Sequence, residues 1–303
     1  MPPSTPASDF AELAPAAALP PPVFRHRSAL RTVVSLPSGR LGASLTVVTL
    51  TTALLAPLLA TRDPLALAAT PLLPPTFAHP MGTDAIGRDL LSGVVHGART
   101  SLLVAGSVTL LAFACGAAVG MTAGWRGGLL DDALMRVTEL FQVVPRFFLV
   151  VVAVALFGPG IDRIVLTLGL TSWPVLARVM RGEVLAMREL DFVVAARASG
   201  ATTTRILWRE LLPNVMPSAA VLLGLLFGQA ILVEASLGFL GLGDPNAVSW
   251  GLLAGQAQGF LRVAWWLAVF PGLAIAAAVL GTNLLADAWA GVIAGGATDA
   301  GSS

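Results

Sequence analysis

Residues 178–213 read RVMRGEVLAMRELDFVVAARASGATTTRILWRELLP. This charged island lies between long apolar runs and is too polar for a bilayer and too regular for a linker. Asp191 can cap a short helix over 192–199, and Gly200 offers a left-handed stop. Thr202, Thr203 and Thr204 supply new cap oxygens, so a second helix is predicted from about Arg205 to Leu212, where Pro213 ends it. Two short helices joined at a glycine, held on the face of a membrane protein, would make a docking element. The same residues also read as a solvated loop whose helix signals are incidental.

Composition sets the class around that island. Hydrophobic residues make up 56% of the 303 and charged residues 12%, with a mean hydropathy of +0.82. Soluble domains carry about 25% charge, so an all-α, polytopic membrane protein is expected. All 18 basic residues are arginine. Without lysine there is no Walker A loop to hold phosphates and no Schiff-base chemistry. The only cysteine, Cys115, lies within an apolar run, which excludes a disulfide and a thiolate metal site. His26, His79 and His96 are scattered, and each reads as a loop or interface residue rather than a ligand. No metal, cofactor or nucleic acid is expected, and the net charge of +1 gives no pointer to the last.

A spanning helix needs about 20 apolar residues. Runs at 41–60, 100–125, 140–157, 164–177, 215–233 and 263–286 give six expected spans. The third is interrupted near one end by Pro145 and Arg146, and the fourth is short between Arg163 and Arg178. Gly158, Pro159 and Gly160 turn the third span into the fourth. With the N-terminus inside, twelve arginines fall on inner segments and five on outer ones, leaving Arg146 embedded. The expected organisation is therefore an inner tail at 1–40, a first span at 41–60 and an outer loop at 61–99. A core at 100–290 follows, with the island on its cytoplasmic face, and an inner tail at 291–303. The 1–40 tail reads as flexible, and the first apolar run starts too late and is too long for a cleaved signal peptide.

Few residues offer chemistry. Glu234 ends the fifth span on the outer side and is a pathway or gating candidate; it reads equally as an interfacial cap or a partner for an outer arginine. Arg146 would cost about 2.5–3.5 kcal/mol at the bilayer centre, but near the inner end of its span it is expected to snorkel. The glycines from Gly238 to Gly243 read as helix packing or an outer turn. Trp250, Trp265 and Trp266 fit an aromatic belt. A stand-alone channel would also show six spans, usually with rings of charge or exposed carbonyls in its pore, and with few embedded charges here it stays open as the alternative; a membrane-embedded enzyme would need a convergent Ser/His or Asp pair, and none is evident.

The island resembles the EAA loop of ABC-transporter permeases, in Val194-Ala195-Ala196, then Gly200, Glu210 and Leu212-Pro213. Val194 stands where that pattern has its first Glu, and Glu210 where it has an apolar residue. A second block is similar to the HxxGTDxxGRD…GARxSL signature of dipeptide, oligopeptide and nickel permeases. It comprises His79, Gly82-Thr83-Asp84, Gly87-Arg88-Asp89 and Gly97-Ala98-Arg99-Thr100-Ser101-Leu102. A third, from Glu234 to Gly243 with Ser249-Trp250-Gly251, resembles the same family's ESLSFLGLG…SWG.

The resemblance is to the second permease of a heteromeric pair, with a type I importer fold. It implies a sister permease, two ATP-binding subunits on the cytoplasmic face, an extracytoplasmic substrate-binding protein and a lipid surround. The substrate would be a di- or oligopeptide, or a nickel complex or other small solute. ATP hydrolysis would belong to the partner subunits. Asp191, Ala195, Ala196, Arg197, Gly200, Leu212 and Pro213 would form the ATPase-coupling element. Gly82, Thr83, Asp84, Gly87, Arg88 and Asp89 would form the extracytoplasmic motif. Small side chains at Ala195, Ala196 and Ala198 would let the short helix sit deep in a partner's cleft.

Overall fold

A computed structural model of the chain describes residues 26–60 and 62–299, and the expectations for residues 1–25 and 300–303 lie outside it. Among the described residues the structure is helical, and its only β-type pairings are isolated bridges in the 62–89 loop. The chain opens with α1 (His26–Ser35), α2 (Pro37–Leu54) and the short α3 (Ala56–Leu59). The tail expected to residue 40 is helical from His26, and Pro37 is tolerated at the first turn of α2. The long α4 (Leu90–Arg126) is followed by α5 (Gly128–Val143) and α6 (Arg146–Phe157). Next come α7 (Ile161–Met187), α8 (Asp191–Ala198) and α9 (Thr203–Arg205). The last elements are α10 (Leu212–Phe239), α11 (Trp250–Gln256) and α12 (Trp266–Asp299), the last reaching into the region read as a tail at 291–303.

Two expectations fail at prolines. The second island helix does not stop at Pro213. Ile206–Leu211 forms a π-helical turn that leads straight into α10, with Pro213 in its first turn. Proline has no N–H to give, and at the head of an α-helix none is required. The result is one apolar rod over Thr203–Phe239. The third span, by contrast, is not continuous. α5 and α6 meet at a 73° bend, and α6 covers only about 18 Å at 1.5 Å per residue. Pro145 caps α6 without any side-chain hydrogen bond.

Among the described residues four helices are long and apolar enough to cross a membrane: α4, α7, the α9–α10 rod and α12. The α5–α6 pair makes a fifth if counted as one broken span. α2, with Ser38, Gly39, Arg40 and Gly42 in its first turns, is not among them.

The packing rests on small residues. The most extensive helix contact is α4 with α7. A Cβ on Gly120 would lie 2.3 Å from the Ala177 carbonyl oxygen. One on Gly116 would meet Leu176, and one on Gly124 the Arg181 carbonyl. Glycine at every fourth position clears one stripe, so two backbones approach as in membrane helix pairs generally. The register rises together on both helices, so α4 and α7 run parallel. α10 runs antiparallel to α4 and α12, since Ser101 meets Glu234 and Trp289 Nε1 donates to the Pro217 carbonyl at 3.1 Å. The two larger of the buried clusters among the described residues lie at opposite ends. One, at the end holding residues 90–102 and 230–267, includes Leu90, Ile231, Leu237, Trp250 and Trp266. The other, at the opposite end, gathers Met121, Met180, Val184, Val193, Ile206 and Leu211 around the island.

Candidate functional site

The island folds as a short helix on a glycine turn. Asp191 is the first residue of α8 rather than its cap; that position belongs to Leu190, and no side chain closes the end. Its carboxylate still lies in the first turn, where negative charge is favourable. At the other end Gly200 takes φ +80°. Its N–H donates to Arg197 O at 2.9 Å, and that of Ala201 to Ala196 O at 3.1 Å, which completes a Schellman turn. Thr202 then caps α9, its Oγ1 accepting from Arg205 N at 3.4 Å.

α8 has two faces. Val193 is fully buried, and Ala196 packs beside it against the island cluster. Ala196 is half-buried, one side of it against the chain's own core. Asp191, Val194, Ala195 and Ala198 are exposed and present a face of mostly small side chains. Arg197 also turns toward the body. Its guanidinium lies 4.4 Å over the Trp125 ring, and one nitrogen donates to Arg188 O at 3.1 Å. Arg188 in turn donates to Gly124 O at 3.1 Å. Leu212 is half-buried against the same cluster, and Pro213 is exposed.

A third tie was not visible in the sequence. Arg181 of α7 grips the Asp131 carboxylate with two nitrogens, Nη2 donating to Oδ2 at 2.6 Å, and Asp131 is buried. No spacing rule links residues 131 and 181, because the pairing requires α5 and α7 to fold side by side.

At the opposite end the second and third sequence blocks converge. Thr83 is fully buried; its hydroxyl donates to Thr70 O at 2.8 Å and accepts from Leu73 N at 2.9 Å. Asp84 accepts from Ile86 N and Arg88 N and so closes the turn in which Gly87 has φ +90°. Arg88 lies half-buried, with its Nε sealed from solvent and without a hydrogen-bond partner. Gly82, at φ +79°, sits against Trp266, whose indole N–H donates to Thr83 O at 3.2 Å. Asp89 caps α4 by accepting from Ser92 N at 3.0 Å, and its other oxygen lies 2.7 Å from His79 Nδ1.

Glu234 is buried in the same region. Ser101 Oγ donates to its carboxylate at 2.9 Å and accepts from Trp250 N at 3.3 Å. The Trp250 indole N–H donates to Val94 O at 2.8 Å. α4, α10 and α11 are thereby joined at one polar node. Gly238 and Gly251 lie back to back there, as expected of close packing, and Gly241 makes the turn after α10 with φ +76°. The aromatic-belt reading is corrected: Trp250 and Trp266 are internal, each with its N–H on a buried carbonyl, and only Trp265 is exposed.

Arg146 departs from its expected place as well. Because α6 starts at the bend, Arg146 lies beside Ser172, near the middle of α7, and donates to its hydroxyl at 3.3 Å. It does not reach the end of a continuous helix.

Residues 116–297 match the family model described as binding-protein-dependent transport system inner membrane component. The chain is 38% identical to the di/tripeptide transport system permease protein DppC of Pseudomonas aeruginosa, over 68% of this chain and 69% of that protein. It is 37% identical to the dipeptide transport system permease protein DppC of Bacillus subtilis, over 71% and 68% respectively. Identity to the glutathione transport system permease protein GsiD of Pectobacterium atrosepticum is 35%, over 70% and 71%. A chain of the MetNI methionine ABC transporter in an inward-facing conformation shares the fold, with a TM-score of 0.53 at 19% identity. That match covers 68% of this chain and 97% of the other.

Proposed function

Because the chain belongs to the family of binding-protein-dependent transport system inner membrane components, we propose that it is one of two different permease subunits of an ATP-driven importer of di- or oligopeptides. It is a multi-pass membrane protein and a transport permease, not an enzyme. The peptide substrate is supported by relatives named for dipeptides and di/tripeptides. ATP hydrolysis is assigned to two separate subunits, and substrate delivery to an extracytoplasmic binding protein.

The observation that carries the coupling role is α8, a helix fastened to the ends of α4 and α7 on one side and bare, with small side chains, on the other. In this reading Asp191, Ala195 and Gly200 shape the face offered to an ATPase subunit, with Pro213 exposed beside it. Ala196, Arg197 and Leu212 hold that face to the permease. The α8 end is cytoplasmic, as are both termini, supported by the twelve-to-five arginine bias. α2 is taken as the remaining crossing, supported by its close packing on α12 through Gly42 and Gly281. Gly82, Thr83, Asp84, Gly87, Arg88 and Asp89 then build the outer loop on which the binding protein lands. Glu234 serves as a latch between α4 and α10 near the outer gate.

Co-purification from mild detergent, followed by ATP-driven uptake of radiolabelled dialanine into proteoliposomes, tests the assignment. Recovery of a second permease and ATPase chains, with peptide uptake, is the expected result. A self-dimer without ATPase would refute it. In a Cys115-free background, labelling of a cysteine at Thr203 from outside would overturn the orientation.

A further inference from the structure

At the α5–α6 break a mainly apolar recess holding a few polar side chains lies halfway along the bundle. A cavity of about 470 Å³ is lined by Arg146, Ser172 and Gln229 among apolar residues of α4, α6, α7 and α10. A second, of about 240 Å³, shares Pro145, Arg146 and Ser172 and adds Gln142 and Thr171. The larger falls within the roughly 300–1,000 Å³ typical of small-molecule sites. Ser172 sits about 17 Å from the start of α7, within a helix of about 40 Å, so the recess lies at mid-membrane depth.

Its charge is unbalanced. Arg146 makes one hydrogen bond, to Ser172, and no acidic side chain lines either cavity. Among the described residues Arg146 has no ion-pair partner. The neighbouring face stays polar, with Gln142 bonded to Arg178 at 2.7 Å and Gln229 exposed. A lipid-facing surface at this depth disfavours an unpaired guanidinium and an exposed carboxamide, whereas a water-filled pathway accommodates both. One cation, a hydroxyl and a carboxamide make a receptor for a single carboxylate.

We propose that Arg146, with Ser172 and Gln229, forms a transit site in the translocation pathway that binds the C-terminal carboxylate of the peptide being imported. The proposal rests on the peptide-importer reading above. A carboxylate contributed by a side chain of the sister permease is the competing source.

The test uses the complete complex with its unmodified binding protein in proteoliposomes. Uptake of radiolabelled dialanine and of its C-terminal amide is measured, each corrected for its separately determined affinity for the binding protein. The unmodified complex should favour the free carboxylate. Arg146→Gln should lower dialanine uptake at least tenfold and flatten that preference, while the sister permease and ATPases still co-purify. Arg146→Lys should retain part of both. Uptake by Arg146→Gln equal to the unmodified complex would overturn the site, as would equal losses for peptide and amide. Loss of the sister permease from the Arg146→Gln complex would assign the arginine to a subunit carboxylate instead. Absence of any peptide uptake by the unmodified complex would overturn the importer reading itself, and this proposal with it.

Discussion

Gly200 allows the coupling element to be tested with a magnitude in hand. Its φ of +80° is left-handed, and a Cβ built there meets no atom within 4 Å. The cost of a side chain is therefore backbone strain alone, about 1–2 kcal/mol for an L-residue in this region. Because the strain is local, it falls on the Schellman turn that ends α8, closed by the Gly200 and Ala201 N–H bonds. A loss of one to two kcal/mol changes an opening equilibrium by a factor of about 5–30. Hydrogen exchange at the amides of Gly200 and Ala201 should accelerate by that factor in Gly200→Ala and Gly200→Val alike. Asn, which enters the left-handed region more readily, should fall between these variants and the wild type. Substrate-stimulated ATP hydrolysis in the assembled complex should follow the same order. Equal exchange in wild type and Gly200→Val would refute the strain argument. Unchanged stimulated hydrolysis despite faster exchange would remove the turn from the coupling path.

Three further outcomes are expected. Asp131→Ala should leave the half-buried Arg181 guanidinium without its acceptor, costing about 1–3 kcal/mol and visible as a lower Tm in detergent; an unchanged Tm would make the pair incidental. Ala195→Arg should block ATPase attachment while leaving the permease folded, whereas Ala196→Asp should destabilise the permease itself, because Ala196 packs inward; reversal of the two phenotypes would invert the assignment of the α8 faces. Gly120→Val should cost about 1–3 kcal/mol or more through overpacking against Ala177, read as reduced folded yield. Gly182→Val, with nothing within 4 Å of the new Cβ, is the control and should express normally.

Local chemistry was legible in the sequence, and long-range juxtaposition was not. The Gly200 stop and the Thr202 cap follow from capping rules that involve only neighbouring residues, whereas Asp191 was expected as a cap and is instead the first residue of α8. High hydrophobic and low charged content gave the protein class for a similar reason, since both are sums over the chain. Pro213 was misread because proline as a helix stop and proline in a helix's first turn give the same local signal. Pro145 was the converse: the interruption was visible, but not that α6 restarts beside Ser172 and carries Arg146 to mid-depth. The inward face of Ala196 depended on where Val193 docks, and the Arg181–Asp131 grip on α5 lying against α7. The tryptophans looked like interface anchors because sequence shows their amphipathic character but not which carbonyl awaits their N–H.

The glycine stripe between α4 and α7 has a mechanical consequence. Backbones in contact along Gly116, Gly120 and Gly124 leave no slack for sliding, so the two helices behave as one stiff beam. α8 is riveted to one end of that beam through Arg197, Trp125 and Arg188. The Ser101–Glu234 node pins the far end to α10. α4 is about 55 Å long at 1.5 Å per residue. A tilt of a tenth of a radian applied at α8 therefore displaces the far end by about 5 Å, the pitch of one helical turn. A tilt applied at α8 would thus emerge at the other end as a stroke of side-chain size, carried to α10 through Ser101 and Glu234.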